Sequence, residues 1–240
     1  MSQLNRFLAN LSVALLFTGM TAAAQKPEAK APARPGPSVE KIRDGVYRVG
    51  NIQVDTIGRE AAVEARINSD VTTLEFVANK VGGAKAYESA LTVMTDATTL
   101  NAALLLLGLD PAHSRVPTRH FDPVPPKGDP VELWIEWADG TATKRARIEQ
   151  LLYDTRTKTT LPEGPWVYTG STFSNGQYMA EVDGVLIGFV HSPAPLIENP
   201  RAGAVDAYGF VVLNPQRSPG MLLKAKLVIK ALGPAPKGKL

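Results

Sequence analysis

Hydrophobic and polar residues alternate along several stretches of this chain. In AAVEARIN, the apolar Val63, Ala65 and Ile67 alternate with Glu64 and Arg66. This period of two is typical of a strand with one face toward a core and the other toward water. The same alternation occurs in VELWIEW, which ends at an Asp-Gly pair typical of a hairpin, and in LLKAKLVIKA near the C-terminus. The pattern therefore predicts mainly antiparallel strands.

Two further turn signals divide residues 165–190 into short segments. Asn175-Gly176 and Asp183-Gly184 separate the runs WVYTGSTF, QYMAEV and VLIGFV. Asn-Gly and Asp-Gly pairs favour the positive φ angles of tight hairpin turns. These residues are therefore predicted to form a meander of three strands.

One segment departs from the strand pattern and predicts a helix at about residues 97–107. Asp96 can accept hydrogen bonds from first-turn amides, Gly108 can adopt the left-handed conformation of a helix end, and Pro111 prevents continuation. Apolar residues cover almost the whole surface of this helix: Leu100, Ala103, Leu104, Leu105, Leu106 and Leu107. A helix that is hydrophobic on nearly all sides is expected to be buried.

Together these elements predict an α+β fold, in which a mostly antiparallel β-sheet packs against one strongly apolar helix. A second, short helix near residues 148–153 fits the spacing of Ile148, Leu151 and Leu152, but the same residues also fit a strand. The chain has 240 residues, of which 44% are hydrophobic, so it can bury one sizeable core.

The N-terminus has the pattern of an export signal. Residues 1–24 combine the basic Arg6, an apolar stretch and the small residues TAAA, which fit a cleavage site. An uncleaved membrane anchor is the alternative. However, Asn10 and Ser12 interrupt the apolar stretch and leave it shorter than the roughly 20 residues that a spanning helix needs. We therefore expect an exported protein, periplasmic or extracellular, with no transmembrane segment after cleavage.

Composition predicts the remaining boundaries. Residues 25–38 are rich in Ala and Pro and indicate an extended linker, whereas residues 232–240 form a flexible basic tail. A single globular domain then occupies residues 39–231. The formal net charge is +3 and the pI about 9.1, but the basic excess lies in the linker and tail, and the domain is slightly acidic. A basic stripe suited to nucleic acid is therefore not expected on the domain.

The chain contains no cysteine, which excludes disulfide bonds, iron–sulfur clusters and zinc–thiolate sites. It also contains no phosphate-binding loop, dinucleotide fingerprint, calcium-binding EF-hand or zinc-protease helix motif. Ser171 lies in YTGSTF, which differs from the Gly-x-Ser-x-Gly turn of a hydrolase nucleophile. We therefore expect no cofactor.

Four stretches occur in an order that resembles one known family: YESAL, LNAALLLLGLDP, PWVYTGSTF and DGVLIGFVHSP. The chain is similar over roughly residues 39–199 to the YdjY-domain family, exported bacterial proteins of largely uncharacterised function. It departs from the family pattern by having Asn101 near a position where histidine is common, and by lacking a cysteine cluster. The resemblance implies the location of the protein but provides no catalytic residues.

Glu88 and Ser89 form one candidate ligand-binding pair, because a carboxylate beside a hydroxyl at a strand start can bind a polar ligand. The alternative is an ion pair between Glu88 and Lys85. The metal candidates are the three histidines, His113, His120 and His191, with Asp122 and Glu88, because a metal site without cysteine needs three or four converging His, Asp or Glu side chains. The alternative is that each histidine is a solvated or capping loop residue.

Aromatic residues supply a second group of candidates, of which Trp134 and Trp166 are the most prominent. Aromatic rings on the outer face of a sheet bind sugars or peptides, and Trp134 alternates out of phase with the apolar Leu133 and Ile135. Packing in the core is the alternative for both tryptophans.

Two functions remain open. The first is a non-enzymatic exported domain that binds an envelope protein, a polysaccharide or a peptide. The alternative is an exported hydrolase or metal-dependent enzyme that uses Glu88 with His113, His120 or His191.

Overall fold

The computed structural model describes residues 36–216 and 224–233, and strands predominate in them. The predicted export signal lies outside the described residues, as do most of the predicted linker and tail. The strands are β1 (Val39–Arg43), β2 (Val46–Val49), β3 (Ile52–Asp55), β4 (Glu60–Ile67), β5 (Phe76–Lys80), β6 (Ser89–Val93), β7 (Asp129–Asp139), β8 (Ala142–Arg147), β9 (Leu152–Asp154), β10 (Thr159–Thr160), β11 (Trp166–Tyr168), β12 (Phe173–Ser174), β13 (Gln177–Tyr178), β14 (Val185–Gly188), β15 (Ile197–Glu198), β16 (Val211–Leu213) and β17 (Lys224–Ala231). The helices of the described residues are α1 (Ala97–Leu106) and α2 (Met179–Asp183), with 3₁₀ turns at Ala86–Glu88, Pro111–His113 and Ile148–Leu151.

Eight of these strands close into a barrel. Around the ring the order is β4, β17, β7, β11, β15, β14, β5 and β6, and β6 pairs again with β4. Neighbouring strands are antiparallel except for two parallel pairs, β14 with β15 and β5 with β6. The ring closes where Ala65 of β4 lies opposite Val93 of β6 and where Ile67 lies opposite Leu91.

The remaining strands extend this ring. The first half of β4 pairs with β3, and β2 and β1 continue the sheet outward from β3. β8 pairs with the second half of β7, across the predicted hairpin turn at Asp139-Gly140. Two small sheets form separately, β10–β9–β16 and the hairpin β12–β13, whose turn is the predicted Asn175-Gly176.

Alternation along the strands explains how the ring is filled. In β4 the apolar Val63, Ala65 and Ile67 are buried, whereas Glu64 and Arg66 are exposed. β17 and β7 show the same alternation, and their inward residues belong to one hydrophobic core with those of β4. Side chains that alternate in this way fill the interior of a barrel of this size. The strands predicted in these three segments are confirmed.

The predicted α+β fold is wrong, because the described chain is mostly β and its main sheet closes on itself. The inner face of a closed ring is covered by the side chains of its own strands, so no helix is needed to cover it. α1 does form, with Asp96 as its N-cap, and it contacts β2 and β3, which lie outside the ring. It is also less buried than expected, since Leu105 is 45% exposed.

Two local predictions have different outcomes. The short helix considered near residues 148–153 is a 3₁₀ turn at Ile148–Leu151 that leads directly into β9, so the helix and strand alternatives each describe part of this segment. Conversely, the segment predicted as the middle strand of the meander contains α2, and Gly184 ends this helix with a φ of 74° instead of forming a hairpin turn. Short apolar runs fit either element, so tertiary contacts decide between them.

Candidate functional site

Two of the predicted site residues, Glu88 and His120, lie beside Glu75, which the sequence analysis missed. β5 and β6 are parallel neighbours in which Phe76 lies opposite Ser89, so the residues before them, Glu75 and Glu88, are side by side. His120 reaches this place from the loop before β7, and its Nε2 lies 3.0 Å from Oε1 of Glu75. We call Glu75, Lys85, Glu88 and His120 the acid–imidazole cluster.

Charges in this cluster are partly compensated. Nζ of Lys85 donates to Oε1 of Glu88 at 2.6 Å, so the alternative predicted for Glu88, an ion pair with this lysine, is present. Burial and the neighbouring charge of Glu88 raise the pKa of Glu75 to about 7. Burial also lowers the pKa of His120, and the positive charge of Lys85 contributes. A carboxyl group whose pKa is raised and an imidazole whose pKa is lowered therefore lie in contact, and such perturbed groups are frequent at functional sites.

The backbone beside His120 adopts an uncommon conformation. Phe121 has a φ of 56°, in the left-handed region that bulky residues rarely occupy. Its amide donates to the carbonyl of His191, and its ring packs edge-on against His120 and Tyr208. Asp122 then accepts hydrogen bonds from the amides of Thr118 and Val124, which lower its pKa to about 2. These contacts hold the loop that carries His120.

The other candidates for a metal or polar ligand have structural partners. His191 is buried, and its Nδ1 lies 2.6 Å from the carbonyl oxygen of Asp122. Ser89 is buried and donates to the carbonyl of Lys85. His113 pairs with Asp129 instead of joining the cluster, and this hydrogen bond raises its pKa. Within residues 36–216 and 224–233, no group of three or more His, Asp or Glu side chains is arranged to hold a metal ion.

The two predicted tryptophans belong to one ion-pair network. Trp134 lies on the outer face of β7 beneath the guanidinium of Arg145, 4.5 Å from the ring centre, and its Nε1 donates to Glu132. Arg147 connects Glu132 to Glu149, with contacts of 2.8 Å and 3.1 Å. This chain of contacts continues to Trp166, whose Nε1 donates to the fully buried Glu149. Trp166 itself is buried, so it is not a ligand platform.

The same network supports a groove of about 440 Å³. Arg201 bonds to Glu149 at 2.7 Å and lies at the groove wall, with its guanidinium 5.1 Å from the ring centre of Trp166. The groove lies between residues 161–165, residues 199–207 and the strands β9 and β16. Nine of its sixteen lining residues have apolar side chains: Leu161, Pro162, Pro165, Phe189, Pro200, Ala202, Ala204, Ala207 and Val211.

Glu75 and Arg201 are the main residues that the sequence analysis missed. Glu75 was visible as a single acid between the apolar Leu74 and Phe76, which is unusual in a buried run. For Arg201 no local signal exists, because its role depends on Glu149, which is 52 positions away in the sequence. Loop residues of this kind acquire a function only through tertiary contacts.

A family model described as the YdjY domain matches residues 52–211. This range includes the acid–imidazole cluster and the groove. No match was found to a curated protein or to a solved structure. None of the helices in the described residues has the length and hydrophobicity needed to cross a bilayer.

Proposed function

Because the chain belongs to the YdjY-domain family over two thirds of its 240 residues, we propose that it is a non-enzymatic binding domain of that family, exported to the cell envelope, which holds a short uncharged peptide segment in the groove. Family membership assigns no activity, whereas the groove has the shape and lining of a binding site. The observation that carries it is an apolar groove of about 440 Å³ with a few polar groups at its wall. This combination is typical of ligand sites.

The charges at the wall support an uncharged ligand. Two arginines line the groove, Arg156 and Arg201. Arg156 donates two hydrogen bonds to Asp154, and Arg201 donates one to Glu149. Their positive charges are therefore compensated before any ligand arrives. Each guanidinium has five N–H donors, and hydrogen bonds to the described residues use four in Arg201 and three in Arg156. The remaining donors suit neutral oxygen acceptors.

A peptide fits this wall better than a polysaccharide. Sugars bind on exposed aromatic faces, and the aromatic side chain that lines the groove, Phe189, is buried. Proline and alanine side chains instead provide shallow apolar contacts for small side chains, while the arginine N–H groups can reach backbone carbonyls. Export is supported by the sequence pattern of residues 1–24.

The test is a selection of peptides on the purified protein, followed by measurement of affinity by fluorescence anisotropy. Ala202 lines the groove and is exposed, so Ala202→Trp is expected to fill the groove without disturbing the core. We expect this variant to lose binding of the selected uncharged peptides. Ala142→Trp, at an exposed position on β8, is the matched control and should bind normally. Equal binding by both variants would place the ligand elsewhere.

A second candidate function, a hydrolase, is favoured by one observation. Glu75, whose pKa is raised to about 7 by burial and by Glu88, contacts His120, and such a pair can remove a proton from water. This candidate predicts hydrolysis of ester or glycoside test substrates that depends on both side chains. Hydrolysis by the purified protein that is lost in His120→Ala and in Glu75→Gln would favour it over the binding domain.

A further inference from the structure

A second cleft of about 710 Å³ lies where β4 ends and β17 begins. Four of its lining residues carry a charge or an aromatic ring: Arg66, Asp70, Tyr87 and Lys224. It is a different site from the groove, with no lining residue in common.

Two positive side chains lie directly opposite each other at this cleft. Arg66 of β4 is the register partner of Lys224 of β17, and both are exposed. Like charges at opposite positions of neighbouring strands repel each other and destabilise the pair. Neither side chain forms an ion pair with an acid among the described residues, in contrast to Arg145 and Lys230, which contact Glu60. Residues 217–223, just before Lys224, contain no Asp or Glu.

The cleft also presents an aromatic ring beside these charges. Tyr87 is 68% exposed, so most of its ring surface faces solvent. It lies in the 3₁₀ turn Ala86–Glu88, which is held by Asn68, whose Nδ2 donates to the carbonyls of Ala86 and Ser89. An exposed ring on a fixed turn offers its face to the apolar face of a sugar.

We propose that this cleft binds an anionic sugar, whose carboxylate lies between Arg66 and Lys224 and whose ring packs on Tyr87. The bound carboxylate relieves the repulsion between the two cations and forms charge-assisted hydrogen bonds with both. Asp70 lines the same cleft and opposes an anion, so it limits the affinity. The site is independent of the proposed peptide groove.

The experiment is calorimetric titration of the purified protein with glucuronate, with glucose and acetate as separate probes. We expect glucuronate to bind, acetate to bind more weakly and glucose not to bind. Arg66→Ala and Lys224→Ala should each weaken glucuronate binding by about tenfold, because each removes a charged hydrogen bond. Tyr87→Ala should weaken glucuronate but not acetate.

Two further variants sharpen the result. Asp70→Asn removes the opposing charge and should strengthen glucuronate binding, a gain that loss of folding cannot produce. Lys226→Ala removes the next lysine along β17, opposite Glu64 and outside the cleft lining, and should leave binding unchanged. The proposal is overturned if glucuronate does not bind at millimolar concentration, if acetate binds as tightly, or if Lys226→Ala weakens binding as much as Lys224→Ala.

Discussion

The carboxyl group of Glu198 lies directly against the α-carbon of Gly188. A Cβ atom added to this glycine would meet Oε2 of Glu198 at 2.7 Å. Glu198 is buried, and its Oε1 accepts a hydrogen bond from the amide of Ser192. Burial raises the pKa of this carboxyl group well above its ordinary value.

This contact predicts that Gly188→Ala destabilises the domain. The carboxyl group cannot move away into water, so we expect a loss of about 1 to 3 kcal/mol, as for other overpacked interiors. Urea unfolding measures it. Gly164→Ala is the control, because its added Cβ would come no closer than 3.5 Å to another atom, on Arg201. An equal effect of both substitutions would show that the Glu198 contact is unimportant.

The acid–imidazole cluster predicts a pH dependence of stability. The pKa of Glu75 is raised from 4.5 to about 7 in the folded protein, so the unfolded chain releases this proton first. Its contribution to stability is therefore fully present below about pH 4.5 and is lost as the pH rises through 7. Glu75→Gln keeps the neutral form at every pH. We expect the free energy of unfolding of the variant, relative to that of the wild type, to increase from pH 5 to pH 8 by at most about 3 kcal/mol. Urea unfolding of both proteins at the two pH values measures this change. A difference in the free energy of unfolding that stays the same at both pH values would contradict the raised pKa of Glu75.

The pattern of neighbouring residues was sufficient to predict individual strands and the main helix. The alternation of Val63, Ala65 and Ile67 was sufficient to identify β4, and Asp96 to identify the start of α1. Closure of the ring depends instead on pairings such as Ala65 with Val93 and on the parallel contact of Ile187 with Ile197, which no local signal encodes. The sheet was therefore predicted to pack against the apolar helix, and the predicted α+β fold class was wrong.

The candidate site shows the same division. Glu88 and His120 could be selected by residue type, but the parallel register of β5 and β6, which places Glu75 beside Glu88, could not be read from the sequence. The groove was missed because it is formed by two loops about 40 positions apart in the sequence, each ordinary by itself. Trp166 was selected as a candidate ligand-binding residue, with core packing as the alternative, and the structure buries it against Glu149.

α1 predicts a large difference between two adjacent leucines. Leu104 is fully buried, whereas Leu105 is 45% exposed. Leu104→Ala is expected to destabilise the domain by about 2 to 5 kcal/mol, the usual cost of emptying a buried leucine site. Leu105→Ala should change the free energy of unfolding by less than about 0.5 kcal/mol. Chemical denaturation of both variants checks which face of α1 is buried. Similar losses of unfolding free energy in the two variants would contradict the described orientation of the helix.

The export signal expected at residues 1–24 predicts a shortened mature protein. The small residues TAAA follow a short apolar segment, so cleavage is expected after Ala24, give or take a few residues. Intact mass measurement of the protein recovered from the exported fraction tests this expectation. Recovery of the full-length chain from membranes would instead support an uncleaved anchor.

The network behind the groove predicts the largest effect of a single charge. Glu149 is fully buried and contacts two cations, Arg147 at 3.1 Å and Arg201 at 2.7 Å. Removing this carboxylate leaves the guanidinium groups of Arg147 and Arg201 in place without their shared acid. Breaking a buried ion pair in this way lowers the free energy of unfolding by about 3 to 5 kcal/mol. We therefore expect Glu149→Ala to lower the free energy of unfolding by that amount and to widen the groove.

Its control is Glu163→Ala at the exposed groove rim, where the carboxylate accepts a hydrogen bond from Gln150. A surface substitution of this kind should change stability by about 0.5 kcal/mol or less. A double variant that carries both Glu149→Ala and Arg201→Ala removes the acid and one of its cations together. Its loss of stability, measured by urea unfolding, should be smaller than the sum of the losses of the two single variants. Additive losses would show that Arg201 and Glu149 act independently, and the groove wall would then not depend on their contact.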